Sequence, residues 1–168
     1  MKALFISTDA GMFVSSEVRE RMKEYGKFFD ELHIIVLTPK KIVEEKDQIA
    51  PNVWAYASYA RAKGLALRNA YRKGYEIVQE KKISVLVAQD PFWTGLIGYR
   101  LKQRFKIPLQ VQIHTDFLSP FFRVSSLGHW VRVSLGLWIL KRADAIRVVS
   151  RRIKESILQK LPTLITPI

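Results

Sequence analysis

Short apolar segments alternate with helix-like segments along the chain, and this alternation constrains the fold more than any other feature. Strands are predicted at residues 2–7, 32–37, 53–57, 85–88, 109–113 and 145–149, with the start of one more at 164–165. Helices are predicted between most of them, at 14–28, 61–79, 92–105, 128–141 and 150–159. Strands that are apolar on both faces are typical of parallel sheets covered by helices. The pattern therefore predicts an α/β fold with a doubly wound, mostly parallel sheet and helices on both faces.

Length and composition fit a single domain with a substantial core. The chain has 168 residues, of which 48% are hydrophobic and 26% charged, as in ordinary globular domains. It contains no cysteine, which excludes disulfides, Cys-ligated zinc, iron–sulfur clusters and a thiol nucleophile. No two histidines have the spacing of metal ligands, so we expect no bound metal. Because Met1–Ser7 is predicted as a strand rather than a signal peptide, we expect a cytoplasmic location.

The chain is strongly basic, with a formal net charge of +13, and this excess implies an anionic partner. Nucleic acid is one alternative, but no helix-turn-helix, zinc-finger, RNP or KH signature is present. A flavodoxin-like α/β domain without catalytic activity is a second alternative, because such a fold alone does not define a function.

Ligands of doubly wound sheets bind at the carboxyl ends of the strands, so the loops that follow the strands are the candidate sites. Gly11, after the first strand, would let backbone N–H groups approach an anionic ligand, although a plain tight turn explains it equally. Asp90 precedes Pro91 and is predicted to cap the next helix while facing the ligand crevice. His114 leaves a buried strand where it could donate a hydrogen bond to a ligand; a purely structural histidine is the competing interpretation.

Three passages together resemble the N-terminal domain of glycosyltransferase family 4, a group of retaining enzymes with the GT-B fold. They read KALFISTDAGMF (2–13), SVLVAQDPFWTGLIGYRLKQRFKIPLQVQIHTDF (84–117) and RADAIRVVSRRIKESI (142–157). The resemblance implies transfer of a sugar from a nucleotide-sugar donor to an acceptor hydroxyl. It also implies that residues 1–168 form the acceptor-side domain and lack the C-terminal donor-binding domain, so that this domain alone is inactive. No cofactor is implied beyond the nucleotide-sugar co-substrate.

The same resemblance assigns roles to individual residues. His114 corresponds to the histidine beside the transferred sugar and is the candidate catalytic residue. Asp9, Gly11 and Met12 lie in the loop that faces the reacting groups, and Asp116 follows His114 after one intervening threonine. Together with Asp90, these residues are the candidate substrate-binding set.

Residues 117–142 combine bulky apolar side chains with arginines and lysines. Aromatic rings beside cations are typical of segments that lie at an anionic membrane surface. We therefore expect peripheral attachment to the inner face of the cell membrane, where a lipid-linked acceptor would be presented; packing of these side chains in the core is the competing interpretation. The predicted membrane-contact residues are Phe117, Phe121, Phe122, Arg123, Trp130 and Arg132.

Overall fold

The computed structural model of the chain describes residues 1–38, 46–60, 62–119 and 127–168, with backbone only for Lys63 and Leu127. Within these residues the strands are β1 (Lys2–Ser7), β2 (Glu31–Thr38), β3 (Lys46–Ala50), β4 (Val53–Tyr59), β5 (Val85–Ala88), β6 (Leu109–Ile113) and β7 (Ala145–Val148). The α-helices are α1 (Ser16–Gly26), α2 (Lys63–Lys81), α3 (Trp93–Phe105), α4 (Leu127–Leu140) and α5 (Arg151–Lys160). A short 3-10 helix, Ala10–Phe13, connects β1 to the segment before α1.

The strands form one sheet in the order β3-β4-β2-β1-β5-β6-β7. All pairings are parallel except that of β3 with β4, which is antiparallel. The chain first builds the sheet outward from β1 through β2 and β4, then returns to place β5 on the other side of β1. The strand order therefore reverses between β1 and β5, where loops leave in opposite directions and open a crevice. The predicted fold class is confirmed.

Each central strand is apolar on both faces because helices cover both sides of the sheet. On one face, Ala3 and Phe5 of β1 belong to a buried cluster with Met22 of α1. On the other face, Leu4 and Ile6 belong to a larger cluster that includes buried residues of α2, α3, α4 and α5. The core is therefore two layers separated by the sheet.

Two predictions at the edges of the sheet differ from the structure. The edge strand β3 was not predicted, because its sequence KDQIA has one buried apolar residue, Ile49, and is otherwise largely polar. The strand expected at 164–165 is absent; in the segment after α5, the Pro167 carbonyl accepts the Ile146 N–H at 2.8 Å and the Thr166 hydroxyl donates to the Ala143 carbonyl at 3.2 Å. Pro162 and Pro167 have no N–H groups, which limits the hydrogen bonds that this segment can offer a sheet.

Candidate active site

A cleft of about 540 Å³ lies at the carboxyl ends of β1, β5, β6 and β7, beside one face of α1. Its position coincides with the reversal of strand order between β1 and β5, where ligands of such sheets bind. The loops that follow β1, β5 and β6 contribute polar or charged residues to the lining of the cleft: Thr8, Asp9, Gln89, Asp90, His114 and Thr115. The candidate substrate residues from three separate loops are therefore brought together, as the sequence predicted for Asp9, Asp90 and His114.

The loop after β1 is ordered by its own side chains. The Asp9 carboxylate accepts the Gly11 N–H at 2.9 Å, and the Ser7 hydroxyl accepts the Asp9 N–H at 3.0 Å. The Gly11 amide is thus used within the loop, and Gly11 is not among the described residues that line the cleft. Met12 is fully buried in the core beneath this loop, so the prediction that its side chain binds substrate is wrong.

Asp90 forms a tight turn between β5 and α3. Its carboxylate accepts the Phe92 N–H at 2.7 Å, and the Thr94 hydroxyl donates to the Asp90 carbonyl at 2.9 Å. Because α3 begins only at Trp93, Asp90 stabilises the turn before the helix rather than capping the helix itself. Burial raises the pKa of Asp90, against the opposing effect of the Phe92 and Thr94 hydrogen bonds and of the Arg132 charge.

His114 directly follows β6, and it is exposed where it lines the cleft. Loss of hydration within the cleft lowers the pKa of His114, and the positive charges of Arg147 and Arg21 lower it further. The imidazole is therefore neutral at physiological pH, with one ring nitrogen able to donate and the other able to accept a hydrogen bond. Such a group can orient a sugar hydroxyl in the cleft.

Comparison with known proteins identifies the family. The family profile described as "Glycosyl transferase 4-like domain" matches residues 12–163, which is most of the chain. The chain belongs to the glycosyl transferase 4-like family. The resemblance seen in the sequence is thereby confirmed, and the cleft lies in a glycosyltransferase domain. No curated protein matches the chain.

Solved structures share the fold of this transferase domain at low sequence identity. Sucrose-phosphate synthase from Thermosynechococcus elongatus superposes with a TM-score of 0.71 and 12% identity, covering 95% of this chain and 45% of that protein. The lipopolysaccharide outer core galactosyltransferase WaaB, in its apo form, gives a TM-score of 0.65 at 11% identity and covers 100% and 44% of the two chains. The UDP-GlcNAc 2-epimerase from Methanocaldococcus jannaschii gives 0.61 at 16% identity, covering 100% and 45%. The domain therefore spans less than half the length of these proteins and matches one half of the GT-B fold.

Asp116 of the transferase domain contacts α5. Its carboxylate accepts a hydrogen bond from the Ser156 hydroxyl at 3.1 Å and lies 3.6 Å from the Arg152 guanidinium. Both partners belong to α5, and Asp116 is not among the described residues that line the cleft. The carboxylate therefore ties the loop after β6 to α5, and substrate binding by Asp116 stays a prediction.

The predicted membrane segment divides between core and surface. Phe117 is 1% exposed, and its ring packs edge-on against Phe92 at a centroid distance of 5.4 Å. It also lies so close to Gly136 that an added Cβ there would be 2.8 Å from the ring. The prediction of membrane contact is therefore wrong for Phe117.

The remaining predicted membrane residues fall into two groups. Trp130 is 61% exposed on α4, whereas Arg132 is only partly exposed. Phe121, Phe122 and Arg123 lie outside the described residues. No described helix of the domain is both long enough and apolar enough to cross a bilayer.

Several lining residues of the transferase domain were missed by the sequence analysis. Gln89, Gln112, Arg21, Tyr25 and Arg147 all reach the cleft. Arg147 could have been recognised as a candidate from the sequence, because it is a charged residue near the end of an otherwise apolar strand, AIRV. No sequence pattern pointed to Arg21 and Tyr25, because only the packing of α1 against the sheet brings this helix beside the ends of β6 and β7.

Proposed function

We propose that this chain is the acceptor-binding half of a two-domain glycosyltransferase that moves a sugar from a nucleotide-sugar to an acceptor hydroxyl, with retention at the anomeric carbon. The proposal is carried by one observation: His114, Asp9 and Asp90, from three loops, converge on a polar cleft at the strand-order reversal of a glycosyl transferase 4-like domain. Such a cleft supplies the hydrogen-bonding groups that a sugar requires in fixed positions.

The chemistry available in the cleft is positioning and hydrogen bonding. The neutral His114 imidazole would hold a hydroxyl of the transferred sugar, and a contact made mainly in the transition state would speed the reaction. The Gln89 and Gln112 amides each offer both donors and acceptors toward acceptor hydroxyls. Asp9 would accept a hydrogen bond from an acceptor hydroxyl through the oxygen that otherwise faces Arg21 at 3.4 Å.

The donor half is proposed to lie outside these residues. The chain covers 45% of sucrose-phosphate synthase and 44% of the galactosyltransferase WaaB. Two halves closed over their substrates would align the reacting atoms and exclude water. No cofactor would be required besides the nucleotide-sugar, which is a co-substrate. We therefore expect the isolated chain to bind nucleotide-sugar weakly and to transfer no sugar.

The test compares the isolated chain with the polypeptide or complex that supplies the donor half. Sugar transfer from a panel of nucleotide-sugars is followed by mass spectrometry of the acceptor products. Transfer only when both halves are present, with the anomeric configuration of the donor retained in the product by NMR, would support the proposal. Transfer by the isolated chain, or an inverted product, would contradict it.

A lipid-linked acceptor at the cytoplasmic leaflet is the second part of the proposal. It is supported by the outer face of α4, where Trp130 and Val131 are 61% and 56% exposed. On the same helix Trp138 is 37% exposed, with the Arg142 guanidinium 4.1 Å from the centre of its ring. Exposed aromatic rings next to cations suit the headgroup region of an anionic membrane.

A further inference from the structure

Arg147 brings an unneutralised positive charge into the cleft. It lies near the carboxyl end of β7, is solvent-exposed, and lines the cleft on the side that faces α1. Its guanidinium donates to the Tyr25 hydroxyl at 3.5 Å, and in the described ranges of the chain no carboxylate oxygen lies within 4.0 Å of it. A phenol offers an oxygen acceptor but no negative charge, so most of the five guanidinium donors are left for a ligand.

A second arginine faces the same part of the cleft from α1. Arg21 precedes Tyr25 by four residues, so both side chains project from one face of the helix. The Arg21 guanidinium is 3.4 Å from the Asp9 carboxylate, and the two side chains are 51% and 43% exposed. A long, exposed ion pair of this kind is weak and leaves other Arg21 donors free to bind.

The charges of both arginines act on the same neighbour. Arg147, Arg21 and His114 line the same cleft, and the charges of both arginines lower the pKa of His114. The other carboxylate of the cleft, Asp90, is partly buried and accepts the Phe92 N–H. Two cations that face one open cleft repel each other, and an anion bound between them would offset that repulsion.

We propose that Arg147, Arg21 and the Tyr25 hydroxyl form a subsite for a phosphate group carried by the sugar acceptor, next to the hydroxyl that His114 helps to position. The inference rests on the proposed acceptor-binding function and names its substrate class: hydroxyl acceptors that bear a phosphate. Guanidinium groups match phosphate oxygens with paired hydrogen bonds, and such charge-assisted bonds are stronger than neutral ones. A phosphate would also offer the Tyr25 hydroxyl an acceptor.

The test measures binding to the chain by isothermal titration calorimetry, with glucose 6-phosphate, glucose, inorganic phosphate and UDP as probes. Arg147→Gln and Arg21→Gln remove one cation each, and Arg72→Gln on α2, whose side chain is 77% exposed, is the matched control far from the cleft. We expect glucose 6-phosphate to bind more tightly than glucose, and Arg147→Gln to weaken that binding by about tenfold or more. Arg21→Gln should weaken it as well, whereas Arg72→Gln should leave it unchanged.

The possible results test the phosphate subsite independently of the proposed sugar transfer. Equal affinity for glucose 6-phosphate and glucose, or equal losses in Arg147→Gln and Arg72→Gln, would overturn the subsite while leaving sugar transfer untouched. Inorganic phosphate that binds as tightly as glucose 6-phosphate, with the same dependence on Arg147, would support the subsite and contradict a sugar acceptor. Tighter, Arg147-dependent binding of UDP would overturn the assignment to the acceptor and place the donor phosphates here. All three substituted residues are exposed, and thermal unfolding confirms that each variant is folded.

Discussion

The carboxylate of Asp9 is bonded to the backbone of Gly11, with Oδ1 accepting the Gly11 N–H at 2.9 Å. The other oxygen, Oδ2, lies 3.4 Å from the Arg21 guanidinium. Asp9 therefore both closes the loop after β1 and connects that loop to α1. A ligand phosphate could reach the Gly11 amide only by displacing Asp9, which makes Asp9 rather than Gly11 the group that a ligand meets first in this loop.

Substitution of Asp9 should separate these two contacts. Asp9→Ala removes the capping acceptor and should lower the free energy of unfolding by about 1 kcal/mol. Asp9→Asn keeps an oxygen for the Gly11 N–H and removes the charge, so its loss should be smaller, because exposed ion pairs contribute little. Urea unfolding followed by circular dichroism measures both. Equal losses in the two variants would mean that the pair with Arg21, and not the loop bond, holds this segment.

His114 should matter for transfer and not for folding. In the enzyme with both halves, His114→Ala should lower kcat about 100-fold, the usual loss of one transition-state hydrogen bond. Because the side chain lies at the surface of the cleft, the unfolding midpoint of the variant should match that of the parent. His129→Ala on α4 is the control, since His129 is not among the described residues lining the cleft. An unchanged kcat in His114→Ala would remove His114 from the mechanism.

A second histidine makes the stability of the domain depend on pH. His33 is 1% exposed, with Nδ1 3.0 Å from the Tyr56 hydroxyl and Nε2 3.1 Å from the Glu31 carboxylate. Its ring stacks on Trp54 at a centroid distance of 5.0 Å. Burial lowers the pKa of His33, and the hydrogen bond to Glu31 opposes this effect only in part.

The sign of the pH effect follows from that lowered pKa. As pH falls, His33 in the unfolded chain takes up a proton first, near its ordinary pKa of about 6.5, while the folded chain resists. The stability contributed by the neutral imidazole is present above that value and is lost on acidification. The urea midpoint should therefore fall between about pH 7.5 and about pH 5.5, and it should fall less in His33→Gln, which has no titrating ring. Parallel losses in parent and variant would assign the effect to other groups, including His114.

The sequence was most informative where a residue follows an apolar strand. The runs ending at Ser7, Ala88 and Ile113 predicted β1, β5 and β6, and parallel packing then required Asp9, Asp90 and His114 to meet. Proximity in the sequence to these loops did not predict whether a side chain lies in the cleft. Met12 lies only a few residues from a cleft loop, yet its apolar side chain is fully buried in the core, because burial of an apolar thioether outweighs proximity to a site.

The remaining features depend on packing between distant segments. The polar strand β3 exists because β4 offers a free edge, and its own sequence lacks the apolar alternation of a half-buried strand. Arg21 and Arg147 are far apart in sequence, and only the placement of α1 beside the end of β7 turns them toward one space. No pattern within either segment encodes that approach.

Substitutions of Phe117 and of Trp130 on α4 should distinguish core from surface in the predicted membrane segment. Phe117→Ala should destabilise the domain by about 3–5 kcal/mol, since it removes a buried ring and leaves a cavity. Trp130→Ala should change the free energy of unfolding little, because the indole is 61% exposed. The two urea unfolding curves test this difference directly. Similar destabilisation by both substitutions would mean that Trp130 also packs in the core.

The same exposed face should bind anionic membranes. Trp130 and Trp138 are two turns apart on α4, and the Arg142 cation beside Trp138 would meet lipid phosphates while the rings enter the headgroup layer. The domain should co-sediment with vesicles of phosphatidylserine and phosphatidylcholine and should be released as salt rises, because each basic residue near the surface adds about 1 kcal/mol that salt screens. Trp130→Ala combined with Trp138→Ala should abolish most of this binding. Leu65→Ala on α2, which removes an equally accessible apolar side chain (53% exposed), should not. Equal binding to pure phosphatidylcholine would contradict the electrostatic contribution, and binding that survives the double substitution would assign the membrane contact to a different surface.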